Sequence, residues 1–218
     1  MATETIYMVL ASIIAITLHE CSHGYVANYF GDPTAKEQGR LTLNPLAHID
    51  PFGTILLPLM LRLVGLPAFG FAKPVPVNVS RLRNIRNHSF LVSMAGPATN
   101  ILLSVFAVGV CRLIRVVSND VTASSNGFVT EVAYFFVIFG LVNVSLAIFN
   151  MLPIPPLDGS ALIERLVPKR HLATYFAFRQ RALPIVLILF LVNSFTLHLG
   201  SGIYTWAFEL FSKLALGS

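Results

Sequence analysis

Apolar residues run through this chain in long blocks separated by short polar connectors, and the block lengths predict the elements. Residues 6–30, IYMVLASIIAITLHECSHGYVANYF, form the first block, long enough as a helix to cross a hydrocarbon core of about 30 Å. Gly31-Asp32-Pro33 ends it. In the polar connector 31–50, Arg40-Leu41-Thr42-Leu43 alternates polar and apolar, as a short strand does. The block 52–66 carries Pro58 and Arg62 and would reach only about 22 Å as a helix, which predicts a re-entrant segment rather than a crossing. Within the connector 70–88, Ala72-Lys73-Pro74-Val75-Pro76-Val77 is expected to be extended, because each proline disfavours helix at the residue before it. Blocks 89–111 and 128–152 predict two further spans. Prolines stop the second of them within Leu152-Pro153-Ile154-Pro155-Pro156-Leu157-Asp158-Gly159. A basic amphipathic segment at 160–182 follows, then two apolar stretches, 184–199 and 202–216, which read as a helical hairpin (about 183–216) or as one span and a half. The expected fold is an all-α polytopic membrane protein of about five to six transmembrane helices, with a re-entrant segment and short membrane-associated β-strands. We read residues 1–218 as one integral-membrane domain whose core is about 6–167.

Composition agrees with that pattern. Of 218 residues 55% are apolar and 11% charged, against about 25% charged in a soluble domain. The mean hydropathy of +0.73 excludes an ordinary soluble fold. The net charge of +5 is better explained by membrane loops than by nucleic acid. If 6–30, 89–111 and 128–152 cross while 52–66 dips in and returns, the connectors 31–50, 70–88 and 160–182 share one side. They carry Lys36, Arg40, Lys73, Arg81, Arg83, Arg86, Arg165, Lys169, Arg170, Arg179 and Arg181, whereas the other side keeps Arg112 and Arg115. That asymmetry makes the first side cytoplasmic. The first block has no basic leader or small-residue cleavage site, so a removed signal peptide is not expected. The compact chain without an organelle-targeting extension points to a prokaryotic inner (cell) membrane. Cys21 and Cys111 both lie within apolar blocks, and no disulfide framework is expected.

The chemistry is concentrated in the first block, as His19-Glu20-Cys21-Ser22-His23. On a helix His19 and His23 lie one above the other with Cβ atoms about 5–6 Å apart, a spacing at which both imidazoles can reach one zinc ion. Glu20, rotated by about 100°, can stand beside such a metal as a base. Cys21 falls away from that face and reads as a small buried residue. A catalytic zinc takes three protein ligands and keeps one position for water. The candidates for the third are His48, His88, His171, His198 and the acidic residues. Asp158 is best placed, directly after an apolar span in a proline-stiffened turn with Gly159 behind it; its competing role is to cap the helix that follows. His48 reads as an interfacial histidine beside Asp50, or as an accessory ligand or gate.

Three motifs together resemble the site-2 protease family of intramembrane zinc metalloproteases. They are HECSH on a membrane helix, Ala95-Gly96-Pro97-Ala98-Thr99-Asn100 on a later span, and the run from Asn150 through Pro153, Pro155 and Leu157 to Asp158-Gly159. The connectors Asn44-Pro45-Leu46-Ala47-His48-Ile49-Asp50 and Phe71-Ala72-Lys73-Pro74-Val75-Pro76-Val77-Asn78 are similar to its compact branch, which has no PDZ or CBS domain. The likeness covers about residues 8–167. It implies one Zn²⁺ held by His19, His23 and Asp158, with Glu20 as catalytic base. It makes Asn150 a candidate donor to the substrate backbone or oxyanion, its other reading being an interhelical hydrogen bond. The implied partners are a transmembrane protein substrate and the lipid bilayer, with room for a regulatory membrane partner or a homo-oligomer. The competing class is a non-proteolytic zinc-binding membrane regulator, chaperone or metal-handling protein. A carboxylate beside the metal argues against it, because storage alone does not need a base.

Overall fold

The computed structural model describes residues 2–63, 65, 70–118, 127–182, 184–185, 188 and 201–217. In chain order its elements are α1 (Ala2–Tyr29), α2 (Thr34–Glu37), a 3₁₀ turn at Pro45–His48, a π-helical turn at Pro51–Leu56 leading into α3 (Leu57–Leu63), and a 3₁₀ turn at Val79–Arg81. There follow α4 (Ile85–Ser118), α5 (Gly127–Asn150), a 3₁₀ turn at Asp158–Ser160 with α6 (Ala161–Glu164), a 3₁₀ turn at Lys169–His171 with α7 (Leu172–Arg181), and α8 (Ser201–Leu216). The protein is mostly helical. Among the described residues three helices are long and apolar enough to cross a membrane, Thr3–Tyr29, Ile85–Val117 and Gly127–Asn150. They are the three blocks expected to span. Of the C-terminal pair, α8 covers the second stretch and most of the first lies outside the described residues.

The expected β-strands do not form: among the described residues there is no strand. The stretch 73–78 is non-helical, as its prolines require, yet side chains take the backbone groups a ladder would use. Arg40 Nη2 donates to the carbonyls of Lys73 (3.0 Å) and Pro74 (3.3 Å), the Val75 amide donates to Glu20 Oε2 (2.8 Å), and the Asn78 amide donates to Asp32 Oδ2 (2.6 Å). Pro74 and Pro76 have no amide hydrogen to give. The amphipathic segment 160–182 consists of several short turns and helices, broken at Pro168.

The chain divides into two compact units. One comprises Met1–Ala15, Pro97–Asn150 and Leu199–Ser218. Its core joins Ala11 and Ala15 of α1, Ala107 and Cys111 of α4, Ile138 and Phe139 of α5, and Phe211 and Ala215 of α8. Three of these pairs are four residues apart and three contain alanine, so small side chains line the faces along which helices approach, as membrane helices require where lipid is as apolar as the core. A buried polar link adds direction: Asn100 Nδ2 donates to Asn143 Oδ1 (2.8 Å), and Asn143 Nδ2 donates to the Phe139 carbonyl (2.8 Å).

The other unit comprises Ile16–Gly96 and Met151–His198. Here α1 ends in a Schellman motif, with the Asp32 amide donating to Ala27 O (2.9 Å) and the Gly31 amide to Asn28 O (3.2 Å). Gly31 sits at φ 106°, where a side chain would be strained. The turn delivers Asp32 to a fully buried position, where Oδ1 accepts from the Thr34 amide (3.1 Å) and hydroxyl while Oδ2 accepts from Asn78. Arg81 forks onto both Glu37 oxygens (2.6 and 3.0 Å), and Arg83 donates to the Tyr29 carbonyl at the end of α1 (2.7 Å). The two connectors are thus tied to each other and to α1 by polar groups. Stranding a buried donor costs about 1–3 kcal/mol. Asp32→Ala is therefore expected to destabilise the protein by about 2–4 kcal/mol, read as a lower melting temperature in detergent, with a smaller loss for Asp32→Asn, which keeps one acceptor.

Candidate metal centre

Two helices and one turn build the site. Helix α1 carries His19 and His23 on one face, both buried. Helix α4 presents Ser89, Val92, Ser93 and Gly96, positions three, four and seven apart that share one face. The His23 Nδ1–H donates to the Val92 carbonyl (2.6 Å), which leaves the lone pair of a neutral imidazole on Nε2. Gly96 makes room for the rings: a Cβ there would stand 2.5 Å from His23 Nε2 and would also overlap His19. The third element is the turn after Asn150. The Leu157 amide donates to Ile154 O (2.9 Å), Ser160 Oγ donates to Leu157 O (2.6 Å), and Tyr175 of α7 donates to Ser160 O (2.6 Å). Gly159 lies so close to the Met151 and Leu152 carbonyls that a Cβ would come within 2.6 Å of Leu152 O.

This turn aims Asp158 at the histidines. Asp158 Oδ2 is 3.1 Å from His19 Nε2 and 3.3 Å from His23 Nε2, and the two Nε2 atoms are 3.1 Å apart. Asp158 caps no helix, and its buried Oδ2 accepts no hydrogen bond. Zinc–ligand bonds of about 2.0–2.1 Å in tetrahedral geometry set the donor atoms about 3.3 Å apart. The His₂Asp donor set therefore fits zinc in chemistry and in spacing. Among the described residues it is the one group of histidine, cysteine and acidic side chains close enough to hold a metal ion.

Glu20 follows His19 on α1, and the Val75 amide holds its Oε2. His48 is buried in the protein, only 3% exposed, with its Nε2 2.9 Å from the Thr42 carbonyl, and it is not in the candidate metal-binding group. Cys21 is buried as expected, its Sγ donating to Thr42 O (2.9 Å). Asn150, in the first unit, donates from Nδ2 to Leu146 O one turn back on its own helix (3.0 Å). His88 stacks on Phe30, with ring centroids 4.1 Å apart, and His171 Nε2 accepts from Arg170 Nε (3.0 Å); His198 lies outside the described residues.

Several neighbours of the site had no signal in the sequence. Arg179 of α7, counted above among loop cations, donates from Nη2 to Ser93 Oγ (3.2 Å) and stands 3.9 Å from Asp158 Oδ1. Its Nη1 is 3.8 Å from Glu164 Oε2, which also accepts from Ser89 Oγ (3.1 Å). Burial pushes the Glu164 carboxyl up, while Ser89 and the Arg179 charge pull it down. No hydrophobic period marks these residues, because what they share is polar contact across three segments.

Residues 7–193 match peptidase family M50. The chain is 45% identical over 162 residues to the protein named "Putative zinc metalloprotease YwhC" of Bacillus subtilis (strain 168), covering 74% of this chain and 69% of that one. It is 31% identical over 159 residues to "Putative zinc metalloprotease Rip2" of Mycolicibacterium smegmatis, covering 73% of this chain and 56% of that one. It is 30% identical over 208 residues to the protein of the same name from Mycobacterium tuberculosis (strain H37Rv), covering 93% and 73%. No solved structure matches the chain. With the match running through nearly all of it and three helices long and apolar enough to cross a bilayer, the chain belongs to peptidase family M50, the site-2 protease family, and is an integral-membrane zinc metalloprotease.

Proposed function

We propose that this protein is an intramembrane endopeptidase that hydrolyses peptide bonds in or near transmembrane segments of other proteins, with His19, His23 and Asp158 as the zinc ligands and Glu20 as the catalytic base. The observation that carries this reading is the convergence of three electron-pair donors within 3.3 Å of one another, with a carboxylate on the same helix. Bound zinc supplies Lewis acidity, lowering the pKa of water toward about 7 and polarising the scissile carbonyl. Glu20 accepts the proton of the attacking water and returns it to the leaving amine. The Val75 amide fixes one carboxylate oxygen and so sets the direction in which the other works. Asn150 is the proposed donor to the substrate backbone or the oxyanion; its amide nitrogen carries two hydrogens, and Leu146 takes one.

A peptide bond inside a helix is shielded, so the substrate unwinds locally, and in lipid its released backbone groups need partners. The extended stretch 73–78 is the proposed surface along which the unwound substrate lies. In this topology 52–66 is re-entrant: Pro51–Leu63 at about 1.5 Å per residue reaches only about 20 Å. Five to six spans then place the site toward the cytoplasmic side of a prokaryotic inner membrane, by the distribution of Lys and Arg. The whole chain acts as one catalytic domain, and a regulatory membrane partner or a second copy supplies any further control.

Two experiments test this. Candidate single-pass membrane proteins are co-expressed with wild type and with Glu20→Gln, and zinc is measured in both. The variant is expected to keep its zinc and to lose about 10²–10⁴-fold in cleavage rate; equal processing would sink the protease mechanism. Gly96→Ala is expected to lower zinc occupancy and cleavage together, because the added methyl occupies the space of the His23 ring; normal occupancy by elemental analysis would remove Gly96 from the site.

A further inference from the structure

Asp158 has different company on its two oxygens. Oδ2 faces the imidazole nitrogens, while Oδ1 faces the guanidinium of Arg179 at 3.9 Å. Arg179 is not a solvated loop cation: its side chain is 18% exposed, against 41% for Arg81. It is held on two further sides, by Ser93 Oγ of α4 and by Glu164, a carboxylate only 1% exposed whose Oε1 has no hydrogen-bond partner. A buried carboxylate stays ionised only beside a cation, and here that cation is shared with Asp158. The guanidinium is always charged, and its rigid fork turns Nη2 toward Ser93 and Asp158 and Nη1 toward Glu164, which a lysine ammonium cannot do in the same way.

We propose that Arg179 is a positioning residue of the zinc site: by pairing with Asp158 Oδ1 it fixes the carboxylate's rotation so that Oδ2 points at His19 and His23, while the buried Glu164–Ser89 pair and Ser93 hold the guanidinium in place. The inference rests on the reading of Asp158 as a zinc ligand. A carboxylate turns readily about its Cβ–Cγ bond and has two chemically equivalent oxygens. A cation on one of them decides which is offered to the metal. This is the outer-shell role that in zinc sites changes metal affinity by about 10–100-fold.

The test is zinc affinity, measured by chelator competition on the purified full chain in detergent, for wild type, Arg179→Ala, Asp158→Ala and the double variant. Arg179→Ala is expected to weaken zinc by about 10–100-fold and to have no further effect once Asp158 is alanine, because its action passes through that side chain. An arginine that merely fastens α7 to α4 would weaken zinc by the same factor in both backgrounds, and that result overturns the proposal. Wild-type affinity in Arg179→Ala, with zinc weakened by Asp158→Ala, also overturns it and leaves the ligand set standing. Wild-type affinity in Asp158→Ala removes the ligand reading and this inference with it. Should Arg179→Ala not fold, Arg179→Gln keeps a donor for Ser93 without the charge, and the same comparison applies with an expected loss of about ten-fold.

Discussion

Everything in the site unit answers to one electrostatic constraint, the gathering of three electron-pair donors within 3.3 Å of each other in a buried place. Left alone, such donors repel, and a flexible protein would spread them. This one prevents the spreading by fixing each donor from behind. The Val92 carbonyl takes the far nitrogen of His23, the absence of a side chain at Gly96 admits both rings, and a turn closed by its own hydrogen bonds carries Asp158. Helix α4 is the common support. Its residues Ser89, Val92, Ser93 and Gly96 form one stripe, and each touches a different part of the site: Glu164, His23, Arg179 and the two imidazoles. A cation placed among the donors would turn the repulsion into binding, and the spacing of the three suits the proposed zinc ion.

The two connectors obey the same logic one layer out. An extended, proline-containing segment packed against the protein pairs its buried backbone groups. It is satisfied by Arg40, Glu20 and Asp32 rather than by a neighbouring strand. This makes Glu20 both a proposed base and the acceptor for Val75, so the geometry of the extended segment and that of the carboxylate are set together. A substrate lying along the segment would therefore bear on the proposed base through the Val75 backbone.

How far the sequence foretold this depends on the kind of signal. The spans were legible because block length is a one-dimensional property: residues 6–30, 89–111 and 128–152 lie within or nearly match α1, α4 and α5, although α4 runs on to Ser118. His19 and His23 were legible because a spacing of four fixes their relation on a helix. Asp158 was legible because prolines and a glycine mark a rigid turn. The strand at 40–43 was misread because alternation records only which side chains face inward. It cannot show that Arg40 would spend its guanidinium on the carbonyls of Lys73 and Pro74, 33 and 34 residues away. The contact of His48 with the Thr42 carbonyl had no signal in the sequence, where only Asp50 stands beside it. Arg179 was hidden among the connector arginines: charge counts alone do not separate a residue that faces water from one drawn toward a buried carboxylate.

The two units show that different forces suit different tasks in one membrane protein. In the first unit the buried core joins alanine, cysteine, isoleucine and phenylalanine, with a buried asparagine pair, a close fit that depends on shape and tolerates little added volume. In the site unit the cohesion is polar, through Asp32, Arg81, Arg83, Arg179 and the helix carbonyls they reach. Polar contacts specify direction as well as distance, which packing of apolar surfaces does not. A metal centre needs its donors placed to within tenths of an ångström, so the part of the chain that must be directional is the part where buried and half-buried charge is concentrated. The arginines of the connectors are thus of two kinds. Some, such as Arg81 and Arg83, tie the connectors to each other and to α1, and Arg179 stands among the buried polar groups beside Asp158.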